Sequence, residues 1–356
     1  MHLKPKSAEI PATSAAVTSL AVAEAARVSQ STVSLVLSGK AAGRVSPATK
    51  ALVEETARRL GYQPNVSAQA LRTGAAKTLA LAVPNVQQPF FGQIFVAAEL
   101  MAREHDYAVI LVDTTTDPLW AERLVGMMRS RLVAGCIVYA SDELSELKLA
   151  SVMSSVLLIE AEDPKKSGVD LDLGGGMRAV VEHLASHGHK RIGYFAAEYS
   201  KATYQRRFTS FLRELKRVGL RYRDEWRTSS TFDLETATRR AREFLESADV
   251  TALFCDDDLL AGAAYRAARL LGVPIPARLS IVGFNDIELA RLLEPELTTV
   301  AIPAEAIGRA AVERLLQRLQ GNVAAQRPFI AELELRIRGS TSTPRVERER
   351  NGATKQ

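Results

Sequence analysis

The strongest constraint on this chain is the alternation that begins at Lys77. Short apolar runs, TLALAVPN, YAVILVDT, AGCIVYA and SVLLIEA, are separated by helix-length stretches such as PFFGQIFVAAELMAREH and PLWAERLVGMMRSR. A run that is apolar at every position is buried on both faces, and a helix between two such runs returns the chain for parallel pairing. The pattern therefore predicts an α/β core whose parallel sheet is covered on both sides. RIGYFAA, VTALFCDD and LSIVGFND, with a helix expected from about Thr203 to Val218, repeat the scheme, so two doubly wound units stand in tandem. LTTVAIP, a helix over Ala304 to Gln320 and the strand candidate ELELRIRG close the series.

At 356 residues and 47% hydrophobic content, the chain can build two or three domains with real cores. It has no run of 18 apolar residues, so no membrane partner is expected. The first 17 residues lack the continuous apolar stretch of a signal peptide and are expected to trail as a disordered tail, which suits a cytoplasmic protein. Cys136 and Cys255 each end a buried run and read as small hydrophobes in a reducing compartment, not as a disulfide or metal framework.

Ahead of the α/β region the pattern is helical and basic. From Thr18 to Lys77, eight basic residues stand against three acids, whereas the body from Thr78 to Gly339 is slightly acidic. Positive charge concentrated in one small segment is the footprint of a nucleic-acid contact. SLAVAEAARVSQSTVSLVL carries one amphipathic run (Leu20, Val22, Ala23, Ala26), a turn, and a second run (Val33, Val36, Leu37) that begins at Ser29. Ser29 is placed to cap the second helix by accepting from the backbone N–H of Ser31 or Thr32. The outer side of that helix then shows Gln30, Ser31, Thr32 and Ser34, short hydrogen-bonding groups that can approach base edges in a major groove. Ser46-Pro47 announces a third helix with Leu52, Val53, Thr56, Ala57 and Leu60 on one side and Gly61 as its stop. This is an all-α helix-turn-helix head with the second helix as reader. Val66 to Thr73, bounded by Gly74, is a further helix-length run, too short to be stable alone in water.

VAEAARVSQSTVSLVLSGK, followed by RVSPATKALVEETARRLGYQPNVSAQALRTG, resembles the DNA-binding head and hinge of the lac repressor family of bacterial transcription regulators. FCDDDLLAGAAYRAARLLGVPIPARLSIVGFNDIELARLLEPELTTVAIP resembles that family's body, and the likeness runs from about Val17 to Gly339. It implies a two-lobed, periplasmic-binding-protein-like core in which the chain crosses between lobes three times. The expected divisions are a tail over 1–17, a head over 18–63, a hinge over 64–76, a core over 77–340 and a disordered tail over 341–356. Within the core, one lobe takes 77–172 and 300–321 and the other 173–299 and 322–340.

The resemblance also implies function: a homodimeric regulator of repressor type that binds a pseudo-palindromic double-stranded DNA operator under the control of a small-molecule effector. Ser29, Gln30, Ser31, Thr32, Ser34, Leu35, Ser38, Lys40, Arg44, Asn65, Leu71 and Arg72 are the expected DNA-binding residues, with Leu71 as a wedge that kinks the minor groove. Leu35 stands where the family often has arginine, and Arg27 replaces a turn glycine. The charged, short segment after Gly339 has no leucine heptads, which favours a dimer over a tail-built tetramer.

In open α/β sheets ligands bind beyond the carboxyl ends of the strands. Those ends give Phe90, Phe91, Ser141, Asp142, Asp256 to Asp258, Asn285 and Asp286, a mixture of rings, acids and amide suited to a polar ring such as a sugar. Asp142 and Asp258 serve equally well as helix caps. Family position adds Arg207 and Phe232; a second arginine found in some relatives falls near Gln205, and Asp257 and Asn285 exchange the commoner Asn and Asp.

Two patterns point elsewhere. GGGMRA at 174–179 fits a dinucleotide fingerprint, but the preceding GVDLDL alternates with aspartates where a first buried strand should be apolar. His183, His187 and His189 form HxxxHxH without a third ligand of fixed geometry. Neither supports a cofactor or a metal, and no nucleophile, base and oxyanion set stands at motif spacing, so no catalytic residues are expected. The alternative is a solute-binding or enzymatic α/β protein with a helical appendage; a transport receptor would need an export signal, which the sequence does not show.

Overall fold

The computed structural model describes residues 17–39, 41–62, 76–140, 143–161, 163–198, 202–322 and 327–344. They fall into two compact units divided between Ala75 and Ala76. The first is a head of three helices: α1 (Ser19–Ala26), α2 (Gln30–Leu37) and α3 (Pro47–Leu60). Each begins on a side-chain cap, Thr18, Ser29 and Ser46 accepting from the N–H groups of Ala21, Thr32 and Thr49. Val22, Ala23, Ala26, Val33, Val36, Ala41, Val53 and Ala57 form the buried centre. Leu20 and Leu52, expected on the packed faces, are instead half exposed, at 52% and 50%. Side chains this small let the helices approach closely and leave little room inside for a leucine.

The second unit carries two six-stranded sheets. Its strands are β1 (Thr78–Val83), β2 (Ala108–Asp113), β3 (Gly135–Tyr139), β4 (Val156–Ile159), β5 (Val169–Leu171) and β6 (Ile192–Ala197), followed by β7 (Arg227–Ser230), β8 (Ala252–Cys255), β9 (Ser280–Asn285), β10 (Thr298–Ala301), β11 (Phe329–Ala331) and β12 (Glu334–Arg336). The first sheet runs β11-β5-β4-β3-β1-β2 and is parallel throughout. In the second, β12-β10-β9-β8-β6-β7, only the β10–β12 pair is antiparallel. Its helices are α4 (Pro89–Glu104), α5 (Trp120–Arg129), α6 (Glu143–Leu149), α7 (Leu173–Ser186), α8 (Ala202–Arg217), α9 (Leu234–Ser247), α10 (Asp258–Leu270), α11 (Leu289–Leu292) and α12 (Ala304–Leu319). The chain passes between lobes after β5, after β10 and after β11.

Three details differ from the sequence reading. The last crossing falls beyond Ala331, because β11 pairs with β5 in the first sheet, and not at residue 321. GVDLDL does contain a buried strand: the Asp170 carboxylate is tolerated there because Arg206 holds it at 2.9 Å. Residues 341–344 are not a loose tail. Ser340 accepts from Thr298 N–H at 2.8 Å, and the Ser342 carbonyl and Thr341 hydroxyl lie 2.9 and 2.8 Å from His189 Nε2 and His183 Nε2.

Those contacts also account for the histidine pattern: His189 is buried between Thr251, Ser280 and Ser342 and fastens the chain end to the second lobe. Among the described residues no group of three His, Cys, Asp or Glu is placed to hold a metal. The glycines of GGGMRA answer to packing. A Cβ at Gly175 would lie 2.3 Å from the Asp172 carboxylate that caps α7, and one at Gly176 would meet Leu333 at 2.9 Å. Cys136 and Cys255 are free and buried, and burial raises both thiols, Cys136 to about 12. Among the described residues no helix is long and apolar enough to cross a membrane.

Candidate nucleic-acid interface and ligand cleft

In the head, a left-handed residue makes the turn: Arg27 sits at φ 52°, ψ 43° and its backbone N–H reaches Ala23 and Glu24 carbonyls. The three-residue link Arg27-Val28-Ser29 then starts α2 at a new angle, and Val33 and Val36 turn inward. Gln30 and Ser31 are exposed, and Thr32, Ser34, Leu35 and Ser38 are half-buried. Their polar groups are already ordered. Gln30 Nε2 donates to Ser19 Oγ at 2.9 Å, fixing the amide across the tips of α1 and α2. Ser29 Oγ lies 2.7 Å from Ser31 Oγ and 2.8 Å from Thr32 Oγ1, so these hydroxyls form one capping group. Ser38 donates to the Leu35 carbonyl, and Arg44 stands exposed on the loop before α3. Lys40, Asn65, Leu71 and Arg72 lie outside the described residues.

The second unit has a cleft lined from both lobes, with about 560 Å³ of empty space including open solvent at its mouth. That is the size class of a site for one small molecule. Phe90, Phe91, Arg207, Phe232, Asp257 and Asn285, singled out from the sequence, all line it. Ser141 and Asp142 lie outside the described residues. Asp258 is not among the lining residues; it accepts from Thr299 Oγ1 at 2.6 Å and from Ile287 N–H at 2.9 Å and braces the second lobe.

One wall is aromatic. Phe90 and Phe91 occupy the first turn of α4, and Tyr139 ends β3, with ring centroids 5.2 to 6.0 Å apart and edges turned to faces. Such tilted pairs are the favourable arrangement for rings with negative faces and positive edges. The other wall is charged. Arg207 pairs with Asp256 at 3.5 Å and stacks 3.5 Å from the centroid of Phe284. Asp256 also accepts from Tyr194 Oη and Ala197 N–H. Asp257 caps α10 through Leu259 N–H and takes Asn285 Nδ2 at 2.7 Å; burial pushes its carboxyl up to about 7.

Four further lining residues, Tyr139, Glu160, Thr203 and Tyr204, were not singled out from the sequence. Glu160 is 2% exposed and ties the lobes: it accepts from Tyr139 Oη in the first and from Thr203 Oγ1 in the second, both at 2.6 Å. The signal was present, since Glu160 follows the apolar run SVLLI and so stands at a strand's carboxyl end. Thr203 and Arg206 are one helical turn apart on α8, and both reach the first lobe, Arg206 through Asp170. Ala140, Glu160 and Asn285, at the ends of β3, β4 and β9, all have left-handed or positive φ (51°, 49° and 113°). Strain of this kind costs about 1–3 kcal/mol per residue and concentrates at functional sites.

Comparison with known proteins agrees with both halves. Residues 20–65 match the model for bacterial regulatory proteins of the lacI family, and residues 181–341 match a periplasmic binding protein-like domain. The HTH-type transcriptional repressor CytR of Escherichia coli K12 is 30% identical over 328 residues, covering 90% of this chain and 95% of CytR. The chain belongs to the lacI family. The HTH-type transcriptional regulator GalS of Salmonella typhimurium is another relative, 32% identical over 308 residues, with 85% of this chain and 90% of GalS covered. Among solved lacI-family structures, the Lac repressor dimer bound to operator and the anti-inducer ONPF superposes with a TM-score of 0.83 at 25% identity, covering 92% of this chain and 99% of that one. The complex of the regulator CelR with cellobiose gives 0.68 at 27% identity over 91% and 99%. This lacI-family protein is thus a helix-turn-helix transcription regulator, and its relatives are transcriptional repressors and regulators, not enzymes.

Proposed function

We propose that the protein is a cytoplasmic homodimeric repressor whose hold on a pseudo-palindromic operator is set by a small polar metabolite, a sugar or a related ring, bound between the two lobes. The observation that carries this reading is the cleft itself: two residues that line it, Glu160 and Thr203, also join the lobes. Glu160 accepts from Thr203 across the boundary, beside Arg207 and the aromatic wall. A guest among these groups changes the angle between lobes, and a coupling of about 1–3 kcal/mol is the usual scale of such control. The relatives are consistent with it, since one is solved on operator with an anti-inducer and another with a disaccharide.

On DNA, Gln30, Ser31 and Ser34 read base edges from α2, with Leu35 placed against a thymine methyl in place of a guanine contact. Lys40, Arg44, Lys50 and Arg72 hold phosphates, so binding weakens steeply with salt. Paired hinge segments bring Leu71 into the minor groove as a wedge. Selection of bound sequences from random duplex DNA, with and without a small-metabolite library, tests the whole proposal. It predicts enrichment of a palindrome whose recovery changes with at least one metabolite; recovery of unrelated sequences under every condition refutes it.

A further inference from the structure

The charges lining the cleft do not balance. Among the described lining residues there are three acids, Glu160, Asp256 and Asp257, and one base, Arg207, each 4% exposed or less. Arg207 and Asp256 neutralise one another at 3.5 Å. The same guanidinium also attracts Glu160 and Asp257, so one cation is shared among three acids, and the hydrogen bonds these two accept from described residues come from neutral groups: two hydroxyls on Glu160, one backbone N–H and one amide on Asp257. Buried carboxylates that share a single counter-charge are costly. Each oxygen that accepts one hydrogen keeps capacity for another.

We propose that the cleft selects a ring-shaped metabolite that bears an amine and carries no phosphate or carboxylate, and that Glu160 and Asp257 impose this choice. The proposal rests on the cleft being the effector site. An ammonium or exocyclic amino group supplies what the two acids lack, a donor that is cationic or strongly polarised. Charge-assisted bonds of this kind are about twice as strong as neutral ones. The aromatic wall acts in the same direction, because the faces of Phe90, Phe91 and Tyr139 are negative and attract a cation. An anionic guest meets a lining with three acids and one cation in a medium that screens poorly.

The burial that raises the Asp257 carboxyl to about 7 is the penalty such a guest relieves. A second group is also incomplete: Arg207 Nε–H is buried with no hydrogen-bond partner, so the guest's ring offers an oxygen or nitrogen acceptor on another edge. The exchange at positions 257 and 285 belongs to the same scheme. Asn285 secures Asp257 through a neutral amide, leaving the acid on the side of α10.

Matched probes test the idea on the full-length protein by titration calorimetry: D-glucosamine against D-glucose, adenosine against inosine, cytidine against uridine, and the phosphate ester of each. The expected result is that, on at least one scaffold, the amine member binds at least about 10-fold more tightly than its oxygen counterpart and its phosphate ester. Glu160→Gln and Asp257→Asn should each cut that ratio severalfold, while far-ultraviolet circular dichroism and the thermal unfolding transition report that both variants fold. A counterpart or phosphate ester that equals or exceeds every amine, or no binding by any amine probe, overturns the inference. Operator selection run on the same preparation separates the cases: if a palindrome is still recovered, the ligand class alone is wrong, and if none is recovered, the regulator reading fails with it.

Discussion

The head and the body hold themselves together differently. Among the described head residues the buried side chains are alanines, valines and one threonine, and the described residues assigned to DNA are at or near the surface. In the body, acids and an arginine are buried, and two groups facing the cleft, Glu160 and Thr203, also carry a contact between the lobes. The head can therefore change what it reads with little effect on folding. A change in what the cleft accepts alters the closure of the lobes as well.

The largest effect expected from this contrast is that of Val33→Asp. Val33 is fully buried in a core of small side chains, and an unpaired carboxylate there costs several kcal/mol, enough to unfold so small a unit. Operator binding should fall below detection in a mobility assay, while ligand titration and the main calorimetric transition of the body stay as they were. Loss of both would show that the two units do not fold separately.

Arg206→Ala comes next. It leaves Asp170, 6% exposed at its side chain, without its cation at the lobe boundary. Arg206 is a quarter exposed, so the expected loss is about 1–3 kcal/mol, below the full cost of breaking a buried pair. Adding Asp170→Asn should recover most of it in chemical denaturation; no recovery would mean that the pair does not join the lobes.

Much of the fold was legible because strands buried on both faces read as unbroken apolar runs. The exceptions have physical causes. β5 is interrupted by Asp170, whose burial depends on an arginine 36 residues away that no local pattern reveals. β7 is a polar edge strand, RTSS, and β11 has three residues. In the head, caps and turns were legible because they are local, Ser29, Ser46 and the left-handed Arg27 all being visible as sequence, whereas the exposure of Leu20 and Leu52 depends on how closely the helices pack and was not. The cleft was half legible. Phe90, Asp257 and Asn285 follow from the strand-end rule, as Glu160 would have, but Thr203 and Tyr204 enter from a helix whose side facing the first lobe depends on how the lobes meet.

The third effect belongs to the body and is set by pH. The imidazole of His189 is pushed down to about 4 by burial, against about 6.5 for an exposed histidine. Between those values the unfolded chain binds the proton and the folded chain does not, so stability is lost as pH falls from about 6.5 towards 4. His189→Gln should flatten that dependence in denaturant titrations, and an unchanged slope would assign it to other groups.

The smallest effect is in the head. Arg27→Gly relieves a left-handed arginine and should stabilise the head by about 1 kcal/mol. Operator affinity at low salt should fall slightly through the lost charge, and a destabilised head would contradict the strain.

The central claim is that the cleft and the operator are coupled. It is tested most directly by an equilibrium anisotropy titration of a selected operator duplex with the full-length protein, with and without a metabolite that calorimetry shows to occupy the cleft. The account predicts that the operator Kd changes by a factor of about 5 to 150 at constant salt. The same Kd in both titrations, with the cleft demonstrably filled, would contradict it.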